Sequence, residues 1–289
     1  MSYIRLNFLS QALSRYVDVS VVIPMENYSY FPPDKPRHHI MPGMPMKPQY
    51  GPGLMFQTVY LLQGGEADDS YMIRYMNLER YAKANNVMLV IPGMANSFGV
   101  DTAYGVEYSA FAAEELPRLI QTMFPSSPKR EDNFVIGCAA GGNAALYNAV
   151  RFPEKYAVAV DMSGGIGEHF NLDRMQGTGS PMASHFPIAG TTFGKKEDIP
   201  GSIYDLNHLT KLHQEAGDAL TKLVFIHGSE EGRIGESVKE DAALAKELGY
   251  DTEYYCIEGA RHNDEFWDAQ FKRIFDEILP LKREVKPLY

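Results

Sequence analysis

Short apolar runs alternate with amphipathic, helix-like patterns along most of the chain after residue 55. The strand-like runs are FQTVYLL (56–62), VMLVIP (87–92), NFVIG (133–137), YAVAVDMS (156–163), KLVFIHG (222–228) and TEYYCIEG (252–259). Helical spacing occupies Tyr71–Asn85, Tyr108–Phe124, Gly142–Phe152, Val238–Leu248 and Glu265–Leu279. Parallel strands that are buried on both faces have continuous apolar sequences, and helices connect one such strand to the next. The alternation therefore predicts an α/β fold with a mostly parallel central sheet and helices on both faces.

Three other segments depart from this rhythm. YIRLNFLS (3–10) and YVDVSVVIP (16–24) predict an opening β-hairpin. An arm over about 25–55 holds seven prolines between Phe31 and Met55 and should run extended over the surface. The Gly-rich stretch of about 164–220 predicts an insertion or cap above the carboxyl edge of the sheet. Since no hinge-like linker divides residues 1–289, we predict a single domain.

Bulk composition narrows the classes of partner. The formal charge of −10 argues against nucleic acid or an anionic membrane as the natural partner. The N-terminus has no basic start followed by an unbroken apolar run, and no window reaches bilayer-spanning length. Cys138 and Cys256 lie far apart in apolar surroundings and are predicted to be reduced core thiols, which favours the cytoplasm. Assembly into a homo-oligomer is left open.

Chemically interesting residues follow four of the predicted strands. Ligands of open α/β sheets bind outside the carboxyl ends of the strands. The segments there are GCAAG (137–141), LLQGGEADDS (61–70), IHGSEEGRIGES (226–237) and IEGARHNDEFWDAQF (257–271). Each has an ordinary interpretation as a loop, a packed turn or a solvated surface. Their common placement predicts a single site at this edge.

The first segment has the outline of a nucleophile elbow. Gly137 and Gly141 flank Ala139 by two residues on each side, between a strand and a helix. With serine at 139 the pattern would be G-x-S-x-G, in which glycines permit a strained turn and the helix N-terminus favours negative charge. Alanine has no nucleophilic atom. Close packing of small residues explains the glycines equally well when this segment is taken alone.

The remaining segments supply the other parts of a hydrolytic site. A Gly-Gly turn after the strand ending near residue 62 can direct backbone N–H groups at an oxyanion. Glu230 and Glu231 offer a carboxylate, and His262 comes last in the chain. The order nucleophile, acid, histidine is that of the α/β-hydrolases. The combination points to acyl transfer more strongly than any one segment.

At these residues the sequence resembles the esterase D-like family of α/β-hydrolases, which includes tributyrin, feruloyl and acetyl esterases and S-formylglutathione hydrolases. The resemblance runs from about Tyr16 to Leu279. It is densest in VYLLQGG, RYMNLERYAKANNVMLVIP, NSFGVDTAYG, FAAEELPRLIQTMFP with REDNFVIG, FGKKEDIPGSIYDL and GARHNDEFWDAQ. The resemblance implies an α/β-hydrolase fold, a serine-type carboxylic ester hydrolase and no cofactor.

Three positions depart from the family pattern. The family's serine falls on Ala139, its aspartate on Glu231 and the usual oxyanion-loop histidine on Gln63. A glutamate can hold a histidine tautomer as an aspartate does, and Glu230 is a substitute for Glu231. The remaining candidates are backbone N–H groups of Gly65 and Ala140 for the oxyanion, and Gln63, Gly64 and Trp267 for substrate contact.

The resemblance implies hydrolysis of small to medium acyl or aromatic, feruloyl-like esters through an acyl-enzyme. Two explanations of Ala139 stay open: a deliberate serine-to-alanine change that preserves a bound ester, which we favour because the supporting residues remain, or a natural pseudo-hydrolase that binds without cleaving. A nucleophilic Cys138 fails on spacing, because residues 136 and 140 are not glycines. A metal site at His38 and His39 is disfavoured, since adjacent side chains point apart. The acyl and alcohol specificity is not predicted.

Overall fold

The structure is a computed structural model that describes residues 1–30, 47–95, 97–103, 105–164 and 192–283. The described residues form an eight-stranded sheet of order β1-β2-β4-β3-β5-β6-β7-β8. The strands are β1 Ser2–Ser10, β2 Arg15–Ile23, β3 Thr58–Leu62, β4 Met88–Pro92, β5 Asn133–Cys138, β6 Val158–Met162, β7 Lys222–Gly228 and β8 Thr252–Ile257. Strands β3 to β8 pair in parallel, whereas β1 and β2 are antiparallel. The predicted opening hairpin and mostly parallel sheet are confirmed.

Helices cover both faces of this sheet. They are α1 Tyr71–Tyr75, α2 Leu78–Asn85, α3 Tyr108–Ala110 continuing through Phe111–Glu115 and Leu116–Met123, α4 Ala140–Arg151, α5 Leu206–Ala216, α6 Arg233–Glu247 and α7 Asp264–Arg273 continuing through Ile274–Ile278. Apolar side chains of α3 to α6 belong to one hydrophobic cluster and those of α1, α2 and α7 to another. The two clusters occupy opposite faces, as a doubly covered parallel sheet requires.

Burial follows the position of each strand in the sheet. The central strands β3, β4, β5 and β6 are buried along their whole length. The edge strand β1 alternates between exposed and half-buried residues, as expected where one face meets solvent. The opposite edge strand β8 is also partly exposed, and Cys256 lies on its exposed side. The prediction that Cys256 is a core thiol is therefore wrong, whereas Cys138 is fully buried.

The two irregular segments are only partly described. Most of the proline-rich arm (31–46), including His38 and His39, lies outside the described residues. The described ends of the arm meet at a bridge between Ser29 and Gln49. About half of the predicted cap, residues 165–191, also lies outside them, so the cap stays a prediction. Its last part contains helix α5, which packs against α4 and which the hydrophobic pattern did not identify.

Candidate active site

The turn between β5 and α4 has the geometry of a nucleophile elbow. Ala139 follows the strand directly and adopts φ 51° and ψ −128°. Such a conformation costs a residue other than glycine about 1–3 kcal/mol. A Cβ at Gly137 would lie 1.9 Å from the Gly141 carbonyl oxygen, and a Cβ at Gly141 would lie 1.9 Å from the Leu62 carbonyl oxygen. Both glycines are therefore required for the close packing of this turn, and the elbow interpretation stays a prediction.

The loop after β3 lies against this elbow. A Cβ built on Gly64 would approach the Ala139 methyl group to 3.3 Å. Gly65 follows in the same loop, and Ala140 begins helix α4. The first N–H groups of a helix have no acceptor within the helix. The structure thus brings the predicted oxyanion donors, Gly65 and Ala140, to the walls of one cavity with Ala139.

His262 is held by Glu231 and not by Glu230. His262 Nδ1 lies 2.6 Å from Glu231 Oε1, and the Glu231 side chain is completely buried. Glu230, one residue earlier, is exposed. Because an ionised carboxylate only accepts hydrogen bonds, Nδ1 is the protonated nitrogen and Nε2 is the basic one in the neutral ring. Of the two glutamates that the sequence left open, the structure therefore pairs Glu231 with the imidazole.

Ser163, which the sequence does not predict as a site residue, contacts the second carboxylate oxygen of Glu231. Ser163 Oγ donates a hydrogen bond to Glu231 Oε2 (3.0 Å) and accepts one from Trp267 Nε1 (3.2 Å). The Gly228 N–H also donates to Glu231 Oε2, at 2.8 Å. Ser163 is fully buried and has φ 59°. Its position at the carboxyl end of β6 was the one signal in the sequence that could have identified it.

Trp267 packs edge-on against the imidazole of His262, with ring centroids 4.9 Å apart. Both rings line a cavity of about 370 Å³. Its walls also include Gly64, Gly65, Tyr71, Ala139, Ala140 and Ile234. The two predicted substrate contacts Gly64 and Trp267 thus face the same space as the elbow. Tyr71, whose hydroxyl donates to Asp264 Oδ1 at 2.5 Å, is a wall residue that the sequence did not predict.

Gln63 is placed differently from the prediction. Its side chain is buried, and Nε2 donates to the Pro92 carbonyl oxygen at 2.6 Å. It is absent from the residues that line the cavity. A direct substrate contact by the Gln63 side chain is not supported, because its amide nitrogen is already occupied by the end of β4. The side chain instead connects β4 to the loop after β3.

The thiol of Cys138 lies directly beneath the elbow but does not act as an alternative nucleophile. Burial raises the pKa of Cys138 to about 12. The reactive form of cysteine is the thiolate. A completely buried thiol with a raised pKa is inert near neutral pH, in agreement with the rejection of Cys138 on spacing. No three His, Cys, Asp or Glu side chains of the described ranges are grouped as metal ligands.

The sequence of this chain is similar to the sequences of known esterases. Residues 48–184 match the family model described as "Putative esterase". An acetyl esterase from Caldicellulosiruptor saccharolyticus is 24% identical over 278 residues, covering 96% of this chain and 97% of that protein. The family match supports a carboxylic ester hydrolase as the class of protein. None of the helices within the described ranges has the length and apolar character needed to cross a bilayer.

Two solved structures show the same fold. The substrate-bound Staphylococcus aureus fluorophosphonate-binding serine hydrolase FphF superposes with a TM-score of 0.73 at 21% identity, covering 95% of this chain and 96% of that chain. The S-formylglutathione hydrolase FrmB of Staphylococcus aureus has a TM-score of 0.70 at 22% identity and covers 95% and 97% of the two chains. The resemblance predicted from the sequence is confirmed: residues 48–184 match the esterase family model, and the described residues share the fold of these two solved structures.

Proposed function

We propose that this chain has the site of a serine-type carboxylic ester hydrolase in which alanine occupies the nucleophile position. The observation that carries the proposal is the convergence of the strained turn at Ala139, the Glu231–His262 hydrogen bond and the backbone N–H groups of Gly65 and Ala140 on one cavity. No cofactor enters the proposed reaction. The proposed substrate is a small ester, and the proposed location of the protein is the cytoplasm.

With serine at position 139, the residues would act in a fixed order. His262 Nε2 would remove the hydroxyl proton while Oγ attacks the ester carbonyl carbon. Buried Glu231 would stabilise the imidazolium through Nδ1. The N–H groups of Gly65 and Ala140 would hold the tetrahedral oxyanion. The imidazolium would then protonate the departing alcohol, and water activated by the same imidazole would hydrolyse the acyl-enzyme.

The chain as it stands cannot form an acyl-enzyme at residue 139. Removal of one triad member lowers the rate by several orders of magnitude and leaves substrate binding and the oxyanion hole in place. We attribute Ala139 to replacement of a serine, because Glu231, His262 and both glycines of the elbow remain arranged around it.

The cavity favours an acyl group of small to medium size with apolar or aromatic character. Its volume of about 370 Å³ lies near the lower end for ligand sites, at roughly 300–1,000 Å³. Its walls include the rings of Tyr71, Trp267 and His262 and the side chain of Ile234. Acetyl, butyryl and feruloyl-like groups all fit this description, and an ester panel distinguishes them.

The test is the Ala139→Ser variant with p-nitrophenyl acetate, p-nitrophenyl butyrate and methyl ferulate. We expect turnover of at least one ester at a rate several orders of magnitude above that of the parent chain. The matched control is Ala139→Ser combined with His262→Ala, which keeps the new hydroxyl and removes its base. Folded Ala139→Ser protein that hydrolyses none of the three esters would refute the proposal.

The second candidate is a natural pseudo-hydrolase that binds a small ligand without cleaving it. Two observations favour this function: Ala139 has no nucleophilic atom, and the cavity is lined by Trp267, which a bound ligand would contact. The chain contains a single tryptophan, so quenching of its fluorescence reports binding in the cavity directly. An alanine codon in the chromosomal gene, together with an Ala139→Ser variant that binds esters without turnover, would favour this candidate over the first.

A further inference from the structure

A hydrogen bond between two side chains connects two of the segments that form the candidate active site. The Tyr71 hydroxyl donates to Asp264 Oδ1 at 2.5 Å. Tyr71 is the first residue of α1 and comes shortly after Gly64 and Gly65. Asp264 is the first residue of α7 and comes two residues after His262. One contact therefore joins the segment with the proposed oxyanion donor to the segment with the imidazole.

The geometry of this bond is that of a strong one. Burial and the hydrogen bond to Asp264 raise the pKa of Tyr71, so its hydroxyl keeps the proton and is the donor. A separation of about 2.5–2.7 Å is typical of a hydroxyl that donates to a carboxylate, and such bonds are stronger than those between neutral groups. Asp264 is not needed to cap α7, because the Asn263 side chain accepts from the Phe266 N–H at 3.0 Å. Its carboxylate is therefore available to Tyr71.

The imidazole segment, residues 261–263, is exposed to solvent. On its amino side, the backbone is held by the Glu230 N–H, which donates to the Ala260 carbonyl oxygen at 3.0 Å. On its carboxyl side, Asp264 is bonded to Tyr71. Exposed segments open more readily than buried ones. The bond to Tyr71 therefore restrains the carboxyl side of the imidazole segment.

A second contact along α7 provides an internal comparison. Asp268 lies four residues after Asp264 and on the same face of the helix. It accepts hydrogen bonds from the Asn77 N–H at 2.7 Å and from the Tyr81 hydroxyl at 3.0 Å. Tyr71 is among the described residues that line the cavity, whereas Asn77 and Tyr81 are not. The two contacts therefore distinguish the docking of α7 from the positioning of groups at the site.

We propose that Tyr71 is a positioning residue, whose hydrogen bond to Asp264 fixes His262 relative to the oxyanion donor at Gly65. The inference rests on the proposed function, because it assigns Tyr71 a role in ester hydrolysis. A displacement of about 1 Å between reacting groups can lower a rate about a hundredfold. Loss of the Tyr71 hydroxyl would keep the ring in the cavity wall and release the contact between the two segments. The expected effect is therefore on the rate of reaction more than on substrate binding.

The first measurement uses the parent chain and needs no nucleophile. Hydrogen–deuterium exchange followed by mass spectrometry reports the opening of residues 258–267, which include the imidazole segment and the start of α7. We expect Tyr71→Phe to raise the exchange rate of this peptide at least tenfold. Tyr81→Phe is the matched control, since it removes a hydroxyl that is bonded to Asp268, and it should leave the rate within about twofold.

The second measurement uses the Ala139→Ser background and the same three esters. Tyr71→Phe should lower kcat about ten- to hundredfold and leave KM within about threefold, whereas Tyr81→Phe should leave both unchanged. Asp264→Asn keeps an oxygen acceptor for the Tyr71 hydroxyl and should lower kcat less than Asp264→Ala does. Combining Tyr71→Phe with Asp264→Ala should lower kcat no further than the stronger single change, because both changes remove the same bond.

The two measurements distinguish failure of the inference from failure of the proposed function. If Ala139→Ser hydrolyses none of the esters, the proposed function fails, and the exchange rates decide whether Tyr71 holds the imidazole segment. The inference is overturned if Tyr71→Phe exchanges as slowly as the parent, if Tyr81→Phe has the same effect as Tyr71→Phe, or if Tyr71→Phe raises KM with kcat unchanged.

Discussion

Replacement of Ser163 by alanine tests whether the hydrogen bond from Ser163 to Glu231 stabilises the Glu231–His262 pair. The Ser163 hydroxyl is buried and makes two hydrogen bonds, one to Glu231 Oε2 at 3.0 Å and one from Trp267 Nε1 at 3.2 Å. After the change, Glu231 Oε2 keeps only the Gly228 N–H at 2.8 Å. The indole N–H of Trp267 is left without its acceptor. The change thus disturbs the acid and the cavity wall together.

The magnitude follows from these two bonds. A hydrogen bond to a charged group contributes about 1.5–3 kcal/mol, and a buried donor left unsatisfied costs about 1–3 kcal/mol. The two effects share one oxygen and are not additive. We therefore expect Ser163→Ala to lower the free energy of unfolding by about 3 kcal/mol. With a urea m value near 3 kcal/mol/M, the unfolding midpoint falls by about 1 M.

The assay is urea unfolding of the parent chain followed by circular dichroism, with Trp267 fluorescence as a local probe. Ser163→Gly is the matched control, because it removes the same hydroxyl but also relieves the positive φ of 59°. We expect Ser163→Gly to be more stable than Ser163→Ala by about 1 kcal/mol. An unfolding free energy of Ser163→Ala within about 0.5 kcal/mol of the parent would refute the described network.

The same change has a kinetic consequence once a nucleophile is present. In an Ala139→Ser background, Ser163→Ala should lower kcat about ten- to hundredfold, because a poorly held Glu231 allows the imidazole to shift from its working position. KM should change less, since Ser163 is not among the residues that line the cavity. A change in KM alone would contradict a positioning role.

Three further predictions concern neighbouring features. In an Ala139→Ser background, Glu231→Gln should lower kcat roughly ten-thousandfold, whereas exposed Glu230→Gln should leave it within about twofold, and equal losses would contradict the assignment. Gly141→Ala should lower the free energy of unfolding by about 3 kcal/mol or prevent folding, because its Cβ would lie 1.9 Å from the Leu62 carbonyl oxygen. The control is Gly201→Ala, where φ is 75° and the surrounding space is open, and it should lower the free energy of unfolding by only about 1 kcal/mol. Thermal unfolding measures both variants. Iodoacetamide near neutral pH should label the exposed Cys256 and leave Cys138 unlabelled, because Cys138 is buried and its pKa is raised to about 12. The mass of the intact chain, labelled in its native state, should show one adduct, and two adducts would contradict the burial of Cys138.

The sequence predicts those parts of the site that local pattern determines. The apolar runs anticipate β3 to β7, because a strand buried on both faces must be largely apolar along its length. The spacing of Gly137 and Gly141 anticipates the elbow, since the close contacts that require glycine are made within a few residues or to the adjacent strand. The position of His262 before an amphipathic helix is confirmed, with Asn263 as the N-cap of α7.

Contacts between distant strands are not visible in local pattern. Ser163 meets Glu231 only because β6 and β7 are neighbours, and it meets Trp267 because α7 packs below them. Gln63 turns toward Pro92 because β3 and β4 are paired. Cys256 is exposed because β8 ends the sheet, although its segment is grouped with the strand-like apolar runs in the sequence.

Helix α5 was missed for a different reason. It lies in a Gly-rich stretch whose composition favours a loop, and its apolar face is short. Its end signals were nevertheless present: the Asp205 side chain accepts from the His208 N–H at 3.0 Å, and Gly217 ends the helix with φ 77°. Capping residues would have identified this helix where periodicity did not.

Backbone contacts hold the strained conformation of Ala139. Its N–H donates to the Met162 carbonyl oxygen at 2.9 Å, and its carbonyl oxygen accepts from the Gly142 N–H at 2.9 Å. Gly137 and Gly141 permit the contacts that hold the turn, so none of the restraints depends on the side chain at 139. The strain of a positive φ is therefore maintained by the backbone around it. Under the proposed function, we therefore expect a serine introduced at 139 to enter this turn, beside the cavity that Ala139 and His262 both line, with no rearrangement of β5 or α4.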